Sequence, residues 1–169
     1  MFVSECHNIM KSVVIGLTVL LAATVVGAQP PAGPPESTRA IVKSYLEIQT
    51  ALAADRFEDV KGPARTLATE AAAAGKEAAA IARAATAVQA ATEIKAARQA
   101  FGDLSDAVIA RVQADGSKDV VGDLRLAYCP MVKRSWLQRE EQIRNPHYGA
   151  QMLTCGEFKP LASQKPDRK

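Results

Sequence analysis

Histidine, cysteine and aromatic residues are scarce in this chain: two histidines, three cysteines and 5% aromatics in 169 residues, with a single tryptophan. Cys6 and His7 fall within the first ten residues, so His147 is the one imidazole in the body of the sequence. A hydrolytic triad needs an imidazole between a nucleophile and an orienting carboxylate, and no such set accompanies His147. There is no Cys-x-x-Cys motif and no βαβ pattern to support a thiol oxidoreductase. A Gly-rich phosphate loop and long β-branched runs are also missing, which argues against P-loop and Rossmann folds. The formal charge is only +3. Its basic residues are interleaved with acidic ones and form no stripe, so a nucleic-acid partner is not expected. The chain is expected not to be an enzyme.

At the N-terminus, Lys11-Ser12 precedes a 14-residue apolar run, Val13 to Val26, followed by Gly27-Ala28-Gln29. A spanning helix needs about 20 apolar residues, so the run reads as a secretory signal peptide over 1–28, cleaved after Ala28. Glu5 is out of place in such a leader, which leaves Met1 and Met10 as alternative starts. The expected location is the periplasm, with no membrane contact after cleavage. Residues 29–36, which include Pro30-Pro31-Ala32-Gly33-Pro34-Pro35, read as an extended linker. A single domain is expected over 37–158 and a disordered polar tail over 159–169.

Within the domain, Ile41, Tyr45, Ile48 and Leu52 recur at helical spacing and predict a helix over 37–54. Asp55 is placed to cap a second helix carrying Phe57, Val60, Ala64, Leu67 and Ala71, with a kink or break at Gly62-Pro63 and a stop at Gly75. A third helix is expected over 76–91 and a fourth from Ile94, ended by Asp115-Gly116, with Thr92 as the capping candidate between them. Alanine fills 18 of the 37 positions from 64 to 100, which favours helix but offers little apolar area. The economical fold is mainly α: an up-down antiparallel bundle of three to four helices. A C-terminal cap of short extended and helical segments follows over 124–158, in which Leu124, Leu126 and Tyr128 would form one buried face of a strand. Four of the seven aromatics after residue 28 lie between 128 and 158 and would supply bulk that the helices lack.

That cap holds the chemistry. Cys129 and Met131 are two apart and would point the same way if extended; Met152 and Cys155 are three apart and would share a face on a helical turn. Four sulfurs around one point suit a soft ion such as Cu(I). His147 is a further candidate ligand, and Trp136 is placed to lie over the site. The spacing leaves a second reading equally open, a Cys129–Cys155 disulfide pinning the cap in an oxidising compartment.

Cys129-Pro130-Met131, Trp136-Leu137, Ile143-Arg144-Asn145-Pro146-His147-Tyr148-Gly149 and Met152-Leu153-Thr154-Cys155-Gly156, with Tyr45-Leu46, Leu52-Ala53-Ala54-Asp55, Phe101 and Leu104-Ser105, resemble an uncharacterised bacterial domain family. Its members are small exported proteins or are fused to the C-terminal end of adaptor (membrane-fusion) subunits of copper- and silver-type heavy-metal efflux pumps. The resemblance spans roughly residues 38–158. It departs at His147, where an aromatic is more usual. It implies a periplasmic helical module associated with metal efflux, whose partner would be an efflux-pump adaptor or another copper-handling protein.

Overall fold

In a computed structural model that describes residues 34–161, the helix periodicity read above becomes four helices of substantial length. They are α1 (Pro34–Ala53), α2 (Lys61–Ala73), α3 (Ala79–Ala90) and α4 (Ile94–Asp115), followed by a single turn, α5 (Lys118–Val121). The expected signal peptide, its cleavage site and most of the tail lie outside the described residues. Residues 34–36, expected in the linker, belong to α1: Pro34 opens the helix, because proline at a first helical position loses no hydrogen bond and already has a helical φ; residues 29–33 lie outside the described residues. Of the residues expected in the tail, Leu161 is buried in the core.

Gly62-Pro63 does not kink α2 but begins it. The first intrahelical bond there runs from the Ala64 amide to the Val60 carbonyl at 3.1 Å, and a proline in the first turn removes no donor that the helix would use. Phe57–Asp59 ahead of it is a 3₁₀ turn. Asp55 caps nothing; it sits at φ 58° and its carboxylate is drawn to the C-terminal cap. The α3–α4 joint is likewise not capped by Thr92, since extended Glu93 is the residue before the helix and makes no side-chain cap. Gly116 ends α4 as expected, at φ 61° with its amide bonded to the Val112 carbonyl.

Helix α2 packs on α1 and α3, and α4 on α3 and α1. The core between them holds Ile41, Tyr45, Ile48, Leu67, Ile81, Val88, Phe101, Leu104 and Val108. The alanines serve by being small, with Ala64, Ala71, Ala78, Ala85 and Ala97 fully buried at helix contacts. Tyr45 and Phe101 stack at 5.2 Å. The Tyr45 hydroxyl shares a 2.7 Å hydrogen bond with Ser105 Oγ and accepts the Leu137 amide at 3.1 Å, joining α1, α4 and the sheet.

The sheet is antiparallel, ordered β2-β1-β3, with β1 (Arg125–Cys129), β2 (Arg134–Gln138) and β3 (Glu157–Lys159). Ala127 pairs with Trp136 and Phe158, and Cys129 with Arg134. The fully buried positions of β1 are Ala127 and Cys129; Leu126 and Tyr128 are half-buried on the other face. The expected face was therefore the wrong one, because Leu124 lies before the strand and does not set its alternation. Of the four aromatics in the cap, only Trp136 is fully buried, while Phe158 is 40% exposed.

Candidate functional site

Cys129 is the last residue of β1, and residues 130–133 turn the chain into β2, with Lys133 at φ 53°. The turn folds its own amides back over the sulfur, so that the N–H groups of Met131 and Val132 donate to Cys129. The Asn145 side chain donates to it as well, and Cys155 lies within hydrogen-bonding reach. Burial of Cys129 pushes its pKa up, but these donors outweigh the burial and hold the thiol below its ordinary value. Burial and the neighbouring Cys129 charge push Cys155 the other way, above its ordinary value. The two sulfurs thus form an unequal pair, one inclined to ionise and one to stay protonated. Both are free thiols, Cys129 buried and Cys155 half-buried.

Asn145 builds the other wall of this site. It is completely buried; its Nδ2 donates to the Cys155 carbonyl at 2.7 Å, and its Oδ1 accepts the His147 amide at 2.8 Å. Its own amide bonds the Leu153 carbonyl, and its carbonyl takes the Gly149 amide. A side chain that bridges its own loop in this way is a turn-former, and here it also fixes Cys155 beside Cys129.

The loop is anchored to the helices by Arg98. Its Nε donates to the Pro146 carbonyl at 3.0 Å, and its Nη2 to the Leu52 carbonyl at 2.9 Å and to Asp55 Oδ1. Asp55 Oδ2 accepts the Ala150 amide at 2.8 Å. The Ala150 amide, first, and Arg98 hold the Asp55 carboxyl below the usual carboxylate range. Gly149, at φ 57°, lies so close to Asp55 and Arg98 that a Cβ would collide with both. From α1, Gln49 Nε2 adds a bond to the Arg144 carbonyl at 2.8 Å. Gln138 closes the network, accepting Trp136 Nε1 at 2.9 Å and the Arg144 amide at 3.0 Å.

The expected four-sulfur arrangement is only half formed. The cysteines meet, but the methionines lie outward on the two loops that carry them. Met131 belongs to the turn and not to a strand, so it does not follow Cys129 inward and is 62% exposed; Met152 is 37% exposed. The Met152-to-Cys155 segment is a turn closed by a 3.0 Å bond from the Cys155 amide to the Met152 carbonyl, not a helical face. Trp136 is a core anchor. His147 packs against Phe101 and Trp136, with ring centroids at 5.8 and 5.9 Å. Its Nε2 is buried without a hydrogen-bond partner among the described residues. Burial, then the Arg134 charge, push its pKa down to about 4, so the ring is neutral at ordinary pH. Among the described residues no group of three or more His, Cys, Asp or Glu side chains gathers around one point.

Sequence reading carried Asn145 only as part of a motif string, with no role, and missed Arg98 altogether. The hydrogen-bonding reach of Asn145 into the cysteine pair has no signature in spacing. No helix among the described residues is long and apolar enough to cross a membrane. No curated protein and no solved structure matches the chain. Residues 41–119, from within α1 into α5, do match a family model described as "Protein of unknown function (DUF3347)", so the helical part is similar to an uncharacterised domain family.

Proposed function

We propose that this chain is an exported, non-enzymatic module that holds a soft metal ion, Cu(I), on Cys129 and Cys155 and buffers it or hands it to an efflux-pump adaptor or other copper-handling protein. The observation that carries this reading is the contact of the two thiols, with Cys129 held toward its thiolate by surrounding N–H donors. Thiolate is the metal-binding form of cysteine, and a two-sulfur donor set suits Cu(I) better than a hard cation. Met131 and Met152 are read as thioethers that would close over the ion from the flanking loops. His147 is set aside as a ligand because its ring is packed between Phe101 and Trp136. The helices, read as an up-down antiparallel bundle, are the scaffold. Titration of the reduced protein with Cu(I) against a competing chelator should give one ion per chain, lost in Cys129→Ser. A stoichiometry near zero in the reduced wild type overturns the reading.

The same contact favours a second reading, in which the pair oxidises and the cap is a structural or docking element. A bridge closing this loop would contribute roughly 3–4 kcal/mol on the chain-entropy model. Intact mass after alkylation, with and without reductant, separates the two states. A Cys129→Ser, Cys155→Ser double variant that keeps its metal affinity while losing thermal stability would decide for the structural role.

A further inference from the structure

A cleft of about 590 Å³ opens between α4, the turn after Cys129 and the Asn145-to-Gln151 loop. One stripe of α4, Lys95, Arg98, Gln99 and Gly102, forms its floor, and Arg134, His147, Tyr148 and Gln151 are among the residues that close it. Among the described residues no carboxylate lines it. The acids that pair with its guanidinium groups act from elsewhere: Asp55 on Arg98, and Asp103 and Asp106 on Arg134 at 2.8 and 2.6 Å.

We infer that this cleft binds a small organic carboxylate with an apolar body. The donors outnumber the acceptors. Among the described residues, Lys95 Nζ, Arg98 Nη1 and Arg134 Nε have no hydrogen-bond partner in the chain. Gly102 keeps the Arg134 side chain close to α4, since a Cβ there would come within 3.0 Å of Arg134 Nε. The Gln99 and Gln151 amides add neutral donors, while Ile94, Val132 and the Tyr148 ring supply apolar wall. Single N–H groups left on two guanidinium side chains, with an ammonium beside them, are charge-assisted donors of the kind that bind a carboxylate, and the volume is that of a small-molecule site. The positive field is already felt inside: the charges of Arg134 and Arg98 both act to depress the His147 pKa. An anion seated among these groups would cancel that field.

The test uses the reduced, metal-free full chain at fixed ionic strength, with benzoate as the probe and the assigned His147 imidazole resonance as the readout. Saturable shifts of His147 and of the Gln99 and Gln151 amides, with the His147 titration midpoint moving upward when benzoate is bound, are expected. Lys95→Glu, at an exposed position, should weaken binding about tenfold while leaving the rest of the spectrum in place. Three results would each overturn the inference: no shift at millimolar benzoate, equal binding of neutral benzamide, or equal displacement by inorganic phosphate, which would mark an unselective anion surface. None of these readouts depends on the cysteine pair or on copper.

Discussion

Asn145 has each of its polar groups engaged, and they hold three separate things: the Cys155 carbonyl, the His147 amide and the Cys129 sulfur. Asn145→Ala would strand the first two in a buried setting and remove a donor from the third. A loss of roughly 2–4 kcal/mol in urea denaturation is expected, together with a higher Cys129 pKa in a thiolate absorbance titration. A variant with unchanged thiol titration would show that the Asn145–Cys129 bond is unimportant. His147 gives a residue-scale pH effect. Its folded pKa, about 4, lies below the unfolded value near 6.5, so the unfolded chain binds the extra proton first. Stability is therefore full above pH ~6.5 and falls as the pH is lowered toward ~4. His147→Gln should flatten that slope in melts recorded across this window, and an unchanged slope would assign it to other groups.

At the scale of elements, two glycines make opposite forecasts. Gly149→Ala places a Cβ against Asp55 and Arg98 at a positive φ, and should cost several kcal/mol, at least ~3, by loosening the loop from α1 and α4. Gly62→Ala meets nothing within 4 Å in the exposed first turn of α2, and should add about 0.5–1 kcal/mol by stiffening the unfolded chain. Chemical denaturation of the pair checks both. The helices were legible because their signal is local: Ile41, Tyr45, Ile48 and Leu52 repeat at the helical period whatever they pack against. Asp55 was misread for the complementary reason. An aspartate ahead of a helix is locally a cap, and only the arrival of Ala150 and Arg98 from distant parts of the chain gives its carboxylate other partners. The strand face failed in the same way, since burial of Ala127 and Cys129 is decided by Trp136 and the helices and not by the hydrophobicity of Leu126.

For the whole molecule, composition and spacing singled out Cys129 and Cys155, whereas their surroundings were not legible. Two outward methionines and the Asn145 bridge are consequences of a hairpin turn and a long-range loop, which residue spacing does not encode. The helical stretch similar to a known domain family is also tied by hydrogen bonds to the C-terminal part. Leu137 bonds Tyr45, Arg144 bonds Gln49, and Pro146 and Ala150 bond the Arg98–Asp55 pair. A chain cut after residue 119 should thus lose cooperative thermal unfolding, measurable by circular dichroism.

The phenol that joins α1, α4 and β2 sets a further bound, on the alkaline side. Burial, first of all, raises the Tyr45 pKa far above its ordinary value near 10. The stability linked to it is whole below pH 10 and drains away above it, because the unfolded chain can release a proton that the folded one must keep. Ionising Tyr45 would leave a charge in the core and make its oxygen an acceptor only. Tyrosinate absorbance from this residue should therefore appear only as the fold opens, making base, and not acid alone, a denaturant that acts through one oxygen atom at the meeting point of three elements.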